Sequence, residues 1–156
     1  MAESIRGTYG DCCLADSYSE ANCRIDVSGL DSSELATISG DLNQRCQSHG
    51  VATRLCDRLI FGRLNGDFIC AAELKGGRNP EVPKAISQIQ GGLELARSIL
   101  RNRTIEKWYP LLFFRGRMKG NDLRAIQTRT VSYGGKRKLV DRIDCGSSLL
   151  AYLNRQ

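Results

Sequence analysis

Residues 55–77 read LCDRLIFGRLNGDFICAAELKGG, the pattern of two apolar strands joined by a short turn. The second strand closes on the triplet Glu73-Leu74-Lys75. Strands that are apolar on both faces are typical of a sheet covered on both sides, and an unpaired charge away from water costs several kcal/mol. Glu73 and Lys75 therefore mark a candidate functional site.

The length of the turn decides which side chains meet. A three-residue loop over 64–66, a type I turn followed by Gly66 in the left-handed region, places Asp57 opposite Glu73. Residues directly opposite in an antiparallel pair share a face, with Cβ atoms about 4.5–5.5 Å apart. One cation could then be held between the two carboxylates. A two-residue Asn-Gly loop would instead pair Asp57 with Leu74 and turn the acids to opposite faces, and the sequence leaves both loops open.

With the longer loop, the site would consist of Asp57, Glu73, the main-chain carbonyl of Leu74 and the ammonium of Lys75. Oxygen ligands with no nearby His or Cys favour Mg²⁺ or Mn²⁺ over zinc. Such an ion polarises a phosphoryl oxygen and activates a water, while Lys75 could orient that water or stabilise the charge that develops on the phosphate. This is the chemistry of phosphodiester hydrolysis.

At these positions the chain resembles the PD-(D/E)xK, or restriction-endonuclease-like, nuclease superfamily. Its signature is a strand aspartate followed, across a hairpin, by (D/E)-x-K, which here is Asp57, fifteen residues, then Glu73-Leu74-Lys75. Cys56 stands where the family has proline. The similarity covers residues 51–102 well and the remainder loosely. It implies Asp57 and Glu73 as metal ligands, with Lys75 as the catalytic lysine.

A first helix is predicted before the hairpin. Asp31 and Glu34 have the spacing of a capping box, and apolar residues recur at helical spacing through Cys46, with a helix end at His49-Gly50. Many members of the resembled family carry an additional acid on such a helix, which makes Glu34 a candidate third acid. The capping role is the favoured interpretation of Glu34, and Glu20 is a weaker candidate.

A second helix is predicted from about Pro83 to Asn102, where apolar residues line one arc. In the resembled family, a glutamine or lysine on this helix supports the site or touches phosphate. Gln88 and Lys84 are therefore supporting candidates, although a position at the rim of the core explains Gln88 as well. The pair Gly91-Gly92 costs roughly 1 kcal/mol per glycine relative to alanine, so it predicts close packing or a kink.

Positive charge is concentrated in the second half of the chain. Residues 1–96 carry a net charge of −4 and residues 97–156 a net charge of +10. Such a distribution suits a nucleic-acid backbone, although a solvated basic surface explains it equally well. The candidate phosphate contacts lie in a glycine-containing loop and around a turn at Gly134-Gly135. They are Arg115, Arg117, Lys119, Arg124, Lys136, Arg137 and Lys138.

The same half is predicted to complete the fold. Residues 108–114, WYPLLFF, read as a strand in which Trp108 serves the core rather than base stacking. Residues 126–133 and 138–143 resemble a hairpin, and residues 147–153 a short closing helix.

Length and composition set broad limits. The 156 residues suit one domain, residues 1–156, and 26% charged with 41% hydrophobic residues is ordinary for a soluble globular protein. The sequence shows neither a signal peptide nor a membrane segment, so a cytoplasmic location is expected. The seven cysteines form no CxxC pair, their number is odd and several lie in apolar runs, so they are interpreted as reduced core residues rather than as a disulfide framework. A zinc site drawn from Cys12, Cys13, Cys23 and Cys46 is disfavoured, because their spacing fits no common site.

These observations predict an α/β fold, a single-domain mixed central β-sheet flanked by helices on both sides, as in the restriction-endonuclease-like core. The predicted function is a Mg²⁺- or Mn²⁺-dependent endonuclease acting on DNA. The alternatives are a non-catalytic nucleic-acid-binding protein on the same scaffold and a protein-interaction domain in which Glu73 and Lys75 form a plain ion pair. A homodimer would suit cutting of both strands, although the sequence identifies no interface.

Overall fold

The computed structural model of the chain describes residues 1–13, 18–20, 22–40, 55–101 and 105–156, with the backbone alone for 10–13. Its helices are α1 (Ala2–Cys13), α2 (Val82–Ile99), α3 (Gly120–Thr128) and α4 (Leu149–Leu153), with a 3-10 turn at Ser32–Glu34. Its strands are β1 (Ser19–Glu20), β2 (Cys23–Arg24), β3 (Ala36–Ser39), β4 (Arg58–Arg63), β5 (Asp67–Lys75), β6 (Lys107–Phe114), β7 (Thr130–Tyr133), β8 (Lys136–Leu139) and β9 (Asp141–Ile143).

A five-stranded mixed sheet forms the centre of the molecule, in the order β3-β4-β5-β6-β9. Strands β3, β4 and β5 form an antiparallel meander, and β6 and β9 run parallel to β5. Helices α1 and α2 contribute to the core on one face of this sheet, and α4 packs on the other. The predicted mixed α/β sheet between helices is confirmed.

Strand β5 lies in the middle of both core layers. Ile69 and Ala71 belong to the layer that contains α2, whereas Phe68 and Cys70 belong to the layer that contains α4. Side chains alternate along a strand, so Glu73 falls on the same face as Ile69 and Ala71. The candidate acid therefore points toward the side of the sheet that α2 covers.

The hairpin between β4 and β5 has the longer of the two predicted loops. Arg63 pairs with Asp67, which leaves three residues in the turn. The turn is not type I, because Asn65 (φ 50°) as well as Gly66 (φ 118°) has a positive φ. The carbonyl of Asn65 accepts a hydrogen bond from Nζ of Lys107 at 2.7 Å. The strand register is thus the one that the three-residue loop predicts, and only the turn type differs.

The first predicted helix was wrong over the residues that the structure describes. Asp31 does cap a turn by accepting from the N–H of Ser33 at 2.8 Å, but the turn is a single 3-10 turn that ends at Leu35. Residues 36–39 then form β3, which is buried throughout and pairs with β4. Burial of a sheet edge outweighs a local capping signal. The rest of that helix, including Cys46 and His49-Gly50, lies outside the described residues.

The second predicted helix is confirmed as α2. Its first N–H, on Val82, is capped from a distance by Oδ1 of Asp122 at 2.8 Å. A Cβ on Gly92 would collide with Sγ of Cys56, so close packing on the sheet explains the glycine. No helix in the described part of the chain, α2 included, combines the length and apolar character needed to cross a membrane.

The chain after α2 follows the prediction in part. Strand β6 is confirmed, and Trp108, 1% exposed, is a core residue. The predicted hairpin is shorter than expected, since β7 pairs with β8, residues 126–128 are helical and β9 joins the central sheet. Arg124 therefore lies on α3 rather than in a loop. The closing helix is confirmed as α4, with Ser148 as its N-cap.

The prediction that all cysteines are reduced was wrong for one pair. Cys23 and Cys145 form a disulfide, although they are 122 residues apart in the sequence. Cys56 and Cys70 are buried free thiols, as expected. The side chains of the remaining three lie outside the described residues: Cys12, Cys13 and Cys46.

Candidate active site

Two reciprocal hydrogen bonds fasten Asp57 to the end of β5. The N–H of Asp57 donates to Oε2 of Glu73 at 3.1 Å, and the carboxylate of Asp57 accepts from the N–H of Leu74 at 2.8 Å. Asp57 directly precedes β4, and one further step of the β4–β5 register places it opposite Glu73. The two acids predicted from the hairpin therefore meet, as the three-residue loop requires.

Lys75 completes this group. Its Nζ lies 2.6 Å from Oε1 of Glu73, because residues two apart on a strand share a face. The Glu73 side chain has no exposure, whereas 22% of the Lys75 side chain is exposed. The ammonium thus stands between the buried carboxylate and solvent, at the edge where a substrate could reach it.

Burial and like charge raise the proton affinity of the acids. Burial, and then the neighbouring Asp57, raise the pKa of Glu73 to about 7. Burial also raises the pKa of Asp57, although the hydrogen bond from Leu74 opposes this. For Lys75, burial lowers the pKa, but the two carboxylates more than offset it and the net shift is upward. Lys75 is therefore a protonated ammonium at neutral pH rather than a general base.

A third acid, Glu20, is linked to this site through Arg58. The buried guanidinium of Arg58 donates to the carbonyl oxygens of Asp57 at 2.6 Å and of Ser19 at 2.9 Å. It also lies 3.5 Å from Oε2 of Glu20, which is close enough to Asp57 to help raise its pKa. The sequence pattern made Glu20 a weaker candidate third acid than Glu34, although Glu20 lies nearer to Asp57. Arg58, a charged residue inside an apolar run, was the sequence feature that could have indicated this.

The three supporting candidates are placed differently. Glu34 lies 4.0 Å from Arg63 at the turn end of the hairpin, six residues along the strand or about 20 Å from the acids. Lys84 is exposed and lies 3.7 Å from Glu81. Gln88 does approach the site, since its Nε2 donates to the carbonyl of Leu55 at 3.3 Å. Its buried Oε1 has no hydrogen-bond partner within the described ranges. Of the three, only Gln88 supports the segment that carries Asp57.

The donor set fits a hard divalent cation. Mg²⁺ is usually bound through one or two carboxylates, with waters and substrate phosphates as further ligands. Asp57 and Glu73 supply the carboxylates, and the carbonyl of Leu74 faces β4, as its N–H does. Within the residues that the structure describes, no cluster of three or more His, Cys, Asp or Glu side chains could hold a metal. Any ion here would therefore depend on these two acids.

Part of the predicted basic surface lies beside the acids. Lys75 and Phe114 are partners in the parallel pair of β5 and β6, so the loop after β6 begins next to the candidate lysine. The exposed basic residues of this loop are Arg115, Arg117 and Lys119. Arg124 follows, exposed, on α3.

The rest of that surface lies at the far end of the sheet. Lys138 donates to the carbonyl of Trp108 at 2.7 Å, and its Nζ is 4.8 Å from the centre of the indole ring. Trp108 precedes Phe114 by six residues, or about 20 Å of strand. Lys136 and Arg137 lie on the same strand, β8, as Lys138. These three cations are therefore separated from the acids, and Lys138 serves packing.

No protein-family model, curated protein or solved structure matches the chain. Its likeness to the PD-(D/E)xK superfamily therefore stays a prediction made from Asp57, Glu73 and Lys75. The case for a function depends on the geometry and electrostatics of these residues.

Proposed function

We propose that the chain is a divalent-metal-dependent nuclease that hydrolyses phosphodiester bonds of DNA. The observation that carries this proposal is the interlocked pair of acids, Asp57 and Glu73, with the ammonium of Lys75 at 2.6 Å from Glu73. Two carboxylates in a desolvated setting repel each other and resist ionisation, as the raised pKa of Glu73 reflects. A divalent cation held by Asp57 and Glu73 would remove that cost.

Asp57, Glu73 and the carbonyl of Leu74 would hold Mg²⁺ or Mn²⁺. When bound, the ion supplies Lewis-acid polarisation of the phosphate and an activated water. Lys75 holds its proton, so its role is to place positive charge where negative charge develops on the phosphate and to position the attacking water. Gln88 supports the backbone that leads into Asp57 through the carbonyl of Leu55.

The topology supports the comparison with restriction-endonuclease-like enzymes. The meander β3-β4-β5 supplies the acids on adjacent antiparallel strands, and α2 then leads to β6, which is parallel to β5. Basic residues gather in the loop after β6, beside Lys75. Phosphate contacts from such a loop would position a nucleic-acid strand without reading its sequence.

The test incubates the protein with duplex DNA, single-stranded DNA and RNA, in Mg²⁺, in Mn²⁺ and in a chelator. We expect metal-dependent cleavage of DNA that falls by about 10²-fold or more in Asp57→Asn and in Glu73→Gln. Asp67→Asn is the matched control, because Asp67 lies on the same strand as Glu73 but at its other end. Cleavage that persists in the chelator, or that is equal in wild type and Asp57→Asn, would overturn the proposal.

The second candidate function is nucleic-acid binding without catalysis. The ion pair of Lys75 with Oε1 of Glu73 favours it, because the ammonium occupies a carboxylate oxygen that a metal would need. Salt-dependent binding of DNA, together with no cleavage of any substrate in either metal, would support this function over the first.

A further inference from the structure

A cleft opens at the edge of the sheet where β5 and β6 end. The two strands are parallel, so the loops that follow them leave the sheet side by side. A cavity of about 540 Å³ lies between these loops, lined by Arg78, Asn79, Pro80, Arg117, Lys119 and Asp122. Ligands of open α/β sheets bind in crevices outside the carboxyl ends of parallel strands. The cleft therefore occupies a favoured place for a ligand.

The charge of the cleft is strongly positive and is not neutralised from within. Arg78, Arg117 and Lys119 are exposed, and none forms an ion pair with an acid in the described part of the chain. The single acid of the lining, Asp122, is committed to the N–H of Val82 at 2.8 Å. The cleft thus presents three cations to an anion.

Three surface cations outside the cleft are engaged with other groups of the protein. Arg142 contacts Asp144 at 2.6 Å, Arg63 contacts Asp67 at 3.1 Å, and Lys107 donates to the carbonyl of Asn65 at 2.7 Å. The guanidinium groups of Arg78 and Arg117, in contrast to these three cations, remain available and line the same cavity. Arginine matches the geometry of phosphate through paired N–H donors.

We propose that this cleft binds a backbone phosphate of the nucleic-acid substrate, next to the phosphate that is cut. This inference rests on the proposed function, because it takes Lys75 as the point of cleavage. Arg78 follows Lys75 by three residues, which limits their Cα separation to about 10 Å. Arg78 and Arg117 would grip the phosphate from two sides, and the amide of Asn79 offers a further donor.

The test measures binding rather than cleavage. Labelled duplex DNA and single-stranded DNA are titrated with protein in a chelator, by fluorescence anisotropy, over about 50–200 mM salt. The variant is Arg78→Gln with Arg117→Gln. The matched control is Lys136→Gln with Arg137→Gln, which removes the same charge from β8. All substituted residues are exposed, and circular dichroism verifies that each variant folds.

We expect the cleft variant to bind more weakly and its plot of log K against log salt to lose about one unit of slope for each lost phosphate contact. The control should keep the wild-type slope. An unchanged slope in the cleft variant, or an equal change in both variants, would overturn the inference. The binding assay contains no metal, so its outcome does not depend on cleavage. A protein that binds DNA through the cleft but cleaves no substrate would therefore overturn the proposed nuclease activity and leave the proposed phosphate contact standing.

Discussion

Lys75 covers Glu73: its Nζ lies 2.6 Å from Oε1, and the acid beneath it has no exposure to solvent. A group in this position can act on a bound phosphate and also competes with a metal for the carboxylate. These two effects have opposite consequences for catalysis and for metal affinity, so substitution of Lys75 separates them.

Replacement of Lys75 by alanine should abolish cleavage and keep metal binding. We expect the cleavage rate to fall by about 10²–10³-fold, since one charge that stabilises the transition state is lost. Calorimetry with Mn²⁺ should show binding at least as tight as in wild type, because the competing ammonium is gone. Lys84 is an exposed lysine paired with Glu81, and Lys84→Ala is the control that should change neither the cleavage rate nor metal binding. Lost metal binding in Lys75→Ala would contradict the assigned role.

Glu73 should make stability depend on pH. Its pKa rises from an ordinary 4.5 to about 7 in the folded chain, so between these values the folded state holds a proton that the unfolded state has released. The contribution of Glu73 to stability is then greatest below about pH 4.5 and is lost as pH rises through about 7, by roughly 3 kcal/mol at most. Urea denaturation across this range, without divalent ions, measures the effect.

The variant Glu73→Gln removes the titrating carboxyl and should flatten that profile. Added Mg²⁺ should also flatten it in wild type, because a bound cation favours the ionised acid. The same pH dependence in wild type and in Glu73→Gln would show that another group is responsible.

The hairpin could be predicted because its signals are local. Gly66, the apolar runs on both sides of it and the period of two along a strand limit the register to two choices, one for each loop length. The structure has the register of the three-residue loop, with Arg63 opposite Asp67. The helix after the hairpin was predictable for a similar reason, since its apolar arc repeats over five turns.

Contacts between distant segments were not predictable. Glu20 contacts Arg58, which is 38 residues away in the sequence, and Arg78 and Arg117 line one cavity only because β5 and β6 are parallel neighbours. At residues 36–39 a local pattern was misleading, because Asp31 does cap a turn but a strand rather than a helix follows. The pairing of this segment with β4 determines its conformation, and a local sequence pattern does not reveal that pairing.

Gly92 should tolerate no side chain. Alanine gains about 1 kcal/mol of helix propensity over glycine. However, its Cβ would collide with Sγ of Cys56 and overpack the core, which costs about 1–3 kcal/mol. We expect Gly92→Ala to destabilise the fold in urea denaturation. Gly77→Ala is the control, because a Cβ there meets no atom within 4 Å.

The partner substitution Cys56→Ala should relieve the collision at Gly92. The double variant would then be at least as stable as Cys56→Ala alone, which a double-mutant cycle measures as a coupling between the two positions. Additive effects of the two substitutions would show that the helix does not touch the segment before β4 at this point.

Lys138 should contribute to stability rather than to nucleic-acid affinity. Its ammonium donates to the carbonyl of Trp108 at 2.7 Å and lies over the indole ring, and burial lowers its pKa. Loss of a partly desolvated cation–π contact and of this hydrogen bond should cost about 1–3 kcal/mol in Lys138→Ala. Trp108 is the only tryptophan, so its fluorescence reports both the local change and the unfolding midpoint. Lys136 is an exposed neighbour on the same strand, and Lys136→Ala should leave the fluorescence and the unfolding midpoint unchanged.

The opposite result is equally clear. If Lys138→Ala weakened DNA binding and left the midpoint unaltered, the lysine would be a phosphate ligand instead, and nucleic acid would have to extend to this far end of the sheet.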